Sequence, residues 1–84
     1  MADTPELTKE QKIQQSFGIR LKRQMLKHGL RTSDMSEMTG MTPQCVSRYI
    51  AGGRMPSLYN VALLAQAVGC TIDELVDYDI LEKL

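Results

Sequence analysis

The chain has 84 residues, 43% hydrophobic and 24% charged. That is enough for one small domain and too little for a large enclosed catalytic chamber. Ten basic and ten acidic side chains cancel to a formal net charge of zero, so any attraction to a polyanion must come from how the charges are placed. No apolar run approaches the ~20 residues of a membrane span, and the polar, acidic opening MADTPELTKEQK is not expected to act as a secretory leader.

Residues 1–7 read as a flexible N-terminal tail. Thr8 and Gln11 then form a capping box, with the Gln11 side chain reaching back to the cap. The first helix runs to about His28. Its inward stripe is expected to be Ile13, Phe17, Leu21, Gln24, Met25 and His28. Gln24 is polar at a core position, so its amide is expected to bond a backbone group, because an unpaired buried amide costs ~1–3 kcal/mol. His28, alone at a helix end, reads as a capping or packing residue rather than a metal ligand. Gly29 ends the helix and Leu30 packs back. Ile19 and Leu26 fall on the opposite side, seven residues apart. They are either two scattered exposed apolar residues or a strip that meets a partner.

Residues 32–51 read as two short helices joined by a tight turn. Gly40 can take the positive φ of a sharp helix exit. Ser36 is small enough for the next helix to cross closely. Met35, Met41, Val46 and Tyr49 are the expected seam. Thr42 is a suitable N-cap and Pro43 suits the first helical position. At 100° per residue, Val46, Tyr49 and Ile50 share one side of residues 43–51, and Gln44, Ser47, Arg48 and Ala51 share the other. Gln pairs bidentately with adenine and Arg with guanine, while small neighbours let the backbone approach a groove. Gly52, Gly53 and Arg54 then make a loop suited to a phosphate backbone.

Ser57 caps a fourth helix with the core stripe Leu58, Val61, Leu64, Ala65 and Val68, closed by Gly69. Thr71 caps a fifth helix with Glu74 completing a capping box, and Ile72, Leu75 and Val76 face inward. Residues 8–76 form the domain. Residues 77–84 are an extension in which Ile72, Val76, Ile80 and Leu84 recur every four residues and Leu81 joins them, an amphipathic end suited to pairing subunits. Charge is segregated. Lys12, Arg20, Lys22, Arg23, Lys27 and Arg31 crowd the first helix and its exit, and Asp73, Glu74, Asp77, Asp79 and Glu82 crowd the C-terminal end. Cys45 and Cys70 have no metal-ligand spacing; Cys70 reads as a core residue and Cys45 as a thiol bordering the exposed face.

Ser36, Gly40 and Val46, together with GGRMPSLYNVALLAQAVGCTIDELV, resemble the lambda-repressor-like (XRE, Cro/cI-type) helix-turn-helix DNA-binding family over roughly residues 17–76. The resemblance implies a compact all-α, five-helix domain that binds double-stranded DNA, commonly as a homodimer on a palindromic operator. On this reading Gln44, Ser47 and Arg48 contact bases, and Thr32, Ser33, Thr42, Gly53 and Arg54 contact phosphates. Relatives commonly carry Thr and Gln where this chain has Arg31 and Thr32. Many also have an Arg–Glu pair where Met25 and Ile50 stand, which implies that those two side chains touch here. The alternative is a protein-interaction module, such as an antitoxin-like partner of a second protein. Nothing suggests an enzyme, because there is one histidine, no nucleophile motif and no Gly-rich loop followed by Lys. No cofactor, metal or membrane is expected, and a reducing cytoplasm suits both thiols.

Overall fold

The computed structural model describes residues 6–82. Their regular structure is all-helical: α1 (Lys9–Lys27), α2 (Thr32–Thr39), α3 (Pro43–Ile50), α4 (Leu58–Val68), a 3-10 turn at Ile72–Glu74, and α5 (Tyr78–Glu82). Each start has a local cause. The Thr8 hydroxyl accepts the Gln11 N–H at 3.1 Å, and the Gln11 side-chain oxygen accepts the Thr8 N–H at 2.8 Å. Ser57 accepts the Asn60 N–H at 3.1 Å. α4 ends on Gly69 at φ 75°, in the left-handed region open to glycine.

Phe17, Leu21 and Met25 from α1, Met35 from α2, Val46 and Tyr49 from α3, and Val61, Leu64, Ala65 and Val68 from α4 meet in one core. Leu75 closes it from beyond the 3-10 turn. Ile50 packs at the margin of the same cluster that holds Met25.

Three expectations from helical periodicity fail: His28 and Leu58 lie beyond an apolar seam that is shorter than the helices crossing it, and Gln24 lies beside the Phe17–Leu21–Met25 stripe, not in it. Gln24 is half-buried and borders a shallow depression with Arg20, Arg23 and Glu74, rather than lying in the core bonded to backbone. His28 is exposed; it stays at the helix end as the C-cap, its N–H donating to the Gln24 carbonyl at 3.1 Å. Leu58, the first residue of α4, is 77% exposed because the opening turn overhangs the core.

The C-terminal end also differs. Thr71 and Glu74 form their reciprocal caps, but around a single 3-10 turn instead of a full α-helix. Leu75 drops into the core, the chain turns, and the Asp77 carboxylate accepts the Asp79 N–H at 3.1 Å as α5 begins. The four-residue apolar repeat is therefore not one continuous helix. Leu84 lies outside the described residues, as do residues 1–5 of the expected tail. Arg20 fastens the end to α1. Its guanidinium donates to the Glu74 carbonyl at 3.3 Å and stands 3.7 Å from the Asp77 carboxylate.

Both cysteines are free and half-buried. Burial pushes the Cys70 thiol above its ordinary value, and the nearby Glu74 carboxylate adds to the shift. A raised thiol is less ionised at pH 8 and so less nucleophilic. In Cys45→Ser protein, Cys70 is expected to react with iodoacetamide several-fold more slowly than free cysteine. Glu74→Gln should recover part of the difference, as read by mass spectrometry over time.

Candidate nucleic-acid interface

α3 is a short rod held on three sides and open on the fourth. Its entrance is fixed by α2 and the turn. Gly40 ends α2 at φ 79°. The Thr39 hydroxyl donates to the Met35 carbonyl at 2.7 Å and accepts the Met41 N–H at 3.2 Å. Ser36 donates to the Met41 carbonyl, so the small residue at the crossing also ties the turn. Thr42 accepts the Cys45 N–H at 3.1 Å, and Pro43 occupies the first helical position. The Thr42 oxygen thereby uses one of its two acceptor positions, and its hydroxyl hydrogen remains to donate.

The rear of α3 is fixed by apolar and aromatic contact. Val46 and Tyr49 are buried. The Tyr49 ring meets Phe17 edge to face, with centroids 6.3 Å apart and planes at 86°. Asn60 of α4 donates to the Tyr49 hydroxyl at 2.8 Å. Burial pushes the Tyr49 phenol up, and the Asn60 amide partly offsets this. Tyr49→Phe removes that partner and leaves the half-buried Asn60 amide without it. The expected cost is ~1 kcal/mol, a fall in Tm of about 4–8 °C for a domain of this size, read by thermal unfolding.

The far end of α3 rests on α1 through contacts that periodicity did not reveal. Gly18 is buried beneath the last turn, where a Cβ would collide with the carbonyl oxygens of Tyr49 and Ile50. One turn earlier, the Gln14 side-chain amide donates to the Gly52 carbonyl at 2.8 Å. Gly52 adopts φ 75° against the backbone of Gln15. The available signal was an isolated glycine inside an otherwise helical pattern, a residue whose missing side chain permits close backbone approach.

On the open side, Gln44, Ser47 and Arg48 are all exposed. Gln44 and Arg48 are four residues apart, so they stand one above the other along the ridge. Among the described residues no carboxylate pairs with Arg48 or Arg54. Beside the ridge, Gly53 and Arg54 are exposed. The Gly53 N–H already donates to the Arg48 carbonyl at 2.9 Å, so Gly53 offers close approach rather than a spare donor. At the start of α2, Thr32 is half-buried and Ser33 exposed. Their neighbour Asp34 accepts the Arg31 N–H at 2.8 Å and lies 3.6 Å from the Arg31 guanidinium. That acid offsets part of the anion preference of the helix N-terminus.

The sequence matches the model of the helix-turn-helix family over residues 19–75. The chain is also similar to a solved structure, the restriction-modification controller protein C.AhdI from Aeromonas hydrophila. The two share 30% identity with a TM-score of 0.70, and the match covers 73% of this chain and 92% of that one. Among curated protein sequences, none matches this chain.

Proposed function

The chain belongs to the helix-turn-helix family, and from that premise we propose that it is a sequence-specific double-stranded DNA-binding transcriptional regulator. The observation that carries this reading is the exposed ridge of Gln44, Ser47 and Arg48 on a helix whose rear is locked into the core. In the proposed complex α3 lies in the major groove. Gln44 pairs with an adenine edge, Arg48 with a guanine edge, and Ser47 sits between them. Thr32, Ser33, Thr42, Gly53 and Arg54 meet the flanking phosphates and set the register without reading sequence. A homodimer would present two such ridges to a palindromic site, with half-sites about 34 Å apart along the duplex. Similarity to a controller of restriction-modification supports a regulator of this small size.

Selection from a pool of random duplexes tests the proposal. An enriched motif with two related halves is expected. Because the chain is neutral overall, few phosphates are neutralised, and the log–log salt slope should be shallow, about −3 to −5. Absence of any enriched duplex would count against DNA recognition. It would favour the second reading, a protein-interaction module, for which the exposure of Ile19 at 55% and Leu26 at 68% is the supporting observation.

A further inference from the structure

The outer face of α1 and the outer face of α5 carry opposite chemistry side by side. No acid occurs between Glu10 and Asp34, and no Lys or Arg between Arg54 and Lys83. On α1, Lys12, Ile19, Lys22, Arg23, Leu26 and Lys27 are all exposed, two apolar side chains two turns apart with basic residues around them. On α5, Tyr78 and Leu81 are roughly half exposed, and the carboxylates of Asp79 and Glu82 point into solvent beside them. The inner side of α5 already shows what α1 accepts. Asp77 lies on Arg20, and Ile80 shares a shallow groove with Ile19. That contact uses one acid and one apolar residue and leaves the rest of both faces uncovered.

We propose that a second copy of this chain covers them reciprocally, the basic-apolar face of α1 in one protomer meeting the acidic-apolar face of α5 in its partner. Because α1 and α5 touch within one chain, a single two-fold axis pairs α1 with α5 and α5 with α1 at once. Apolar contact supplies affinity, and the charges fix the pairing and reject α1 against α1. A formal net charge of zero removes general repulsion between copies. The proposal names the surface for the dimer in the reading above and does not depend on DNA contact.

The test is a charge exchange, measured by sedimentation equilibrium without DNA. One variant carries Arg23→Glu with Lys27→Glu, the other Asp79→Lys with Glu82→Lys. All four side chains are exposed, so melting curves should stay close to wild type. Wild type should reach twice the 9.4 kDa chain mass at about 100 µM and 50 mM NaCl, and associate more weakly at 0.5 M. Each variant alone should dissociate about tenfold more readily. An equimolar mixture should regain wild-type association, because each mutated face then meets its complement. The proposal is overturned if wild type stays at the single-chain mass, if either variant dimerises as wild type does, or if the mixture gains nothing. Should a variant melt early, the salt dependence of wild type decides alone, and association unchanged or strengthened at 0.5 M NaCl overturns it.

Discussion

Replacing Gly18 with alanine is expected to destabilise the protein by ~1–3 kcal/mol and to lower Tm by roughly 10 °C. On helix propensity alone the opposite sign is expected, since alanine is favoured over glycine in a helix interior by about 1 kcal/mol. The site overrides propensity. The added methyl overlaps the carbonyl oxygens of both Tyr49 and Ile50, and these are backbone atoms that cannot rotate away. Either α1 and α3 separate, loosening the Phe17–Tyr49 contact, or the last turn of α3 deforms and the Gln14–Gly52 bond is lost. Gly53→Ala is the matched control. A methyl there meets only the Arg48 carbonyl at 3.7 Å, an ordinary contact. That variant should melt within about 2 °C of wild type. Thermal unfolding of the two side by side separates a packing requirement at Gly18 from a general dislike of alanine. Equal stability of Gly18→Ala and wild type would mean that α1 does not brace α3 as described.

Arg48→Ala should have the opposite profile: unchanged stability and a large loss of specific binding. The side chain is exposed and unpaired with any carboxylate among the described residues, so folding loses little when it goes. A bidentate arginine–guanine pair is worth ~1–3 kcal/mol of discrimination, so the selected duplex should bind about 5- to 150-fold more weakly for each half-site that loses its pair. The loss should fall on one base position per half-site and leave the others as selective as before. Arg54→Ala differs in kind. A phosphate contact removed should weaken binding evenly across sequences and lower the salt slope by about 1 for each protomer bound. Binding isotherms at two salt concentrations distinguish the two roles.

The segment from α2 through α3 was the most legible part of the chain because its determinants are local. Thr42, Pro43, Gly40 and the spacing of Val46 and Tyr49 each act within a few residues, and all five do what their chemistry predicts. Capping of α1 and α4 by Thr8 and Ser57 was legible for the same reason. What was not legible depends on contacts between distant segments. Leu58 fits the stripe of α4 perfectly well by angle, yet periodicity cannot say where the neighbouring helices stop. His28 is the same error at the end of α1, while Gln24 flanks a stripe that periodicity drew one residue too wide. The break before α5 had a local signal in Asp77, a good cap, but the four-residue apolar repeat pointed to a continuous helix. Burial of Leu75 prevailed over that repeat. Of the candidate interface, the ridge was readable from residue types. The brace behind it, Gln14, Gly18 and Asn60, was not, because each acts on a residue at least 11 positions away.

In the proposed complex the guanidinium of Arg48 reads a guanine edge in the major groove. Replacing each guanine of the selected duplex in turn with 7-deazaguanine removes the N7 acceptor and leaves Watson–Crick pairing intact. At one guanine per half-site, wild type should lose about tenfold in affinity, and Arg48→Ala should lose nothing further. Indifference of wild type at every guanine, or an equal loss in Arg48→Ala, would contradict the claim.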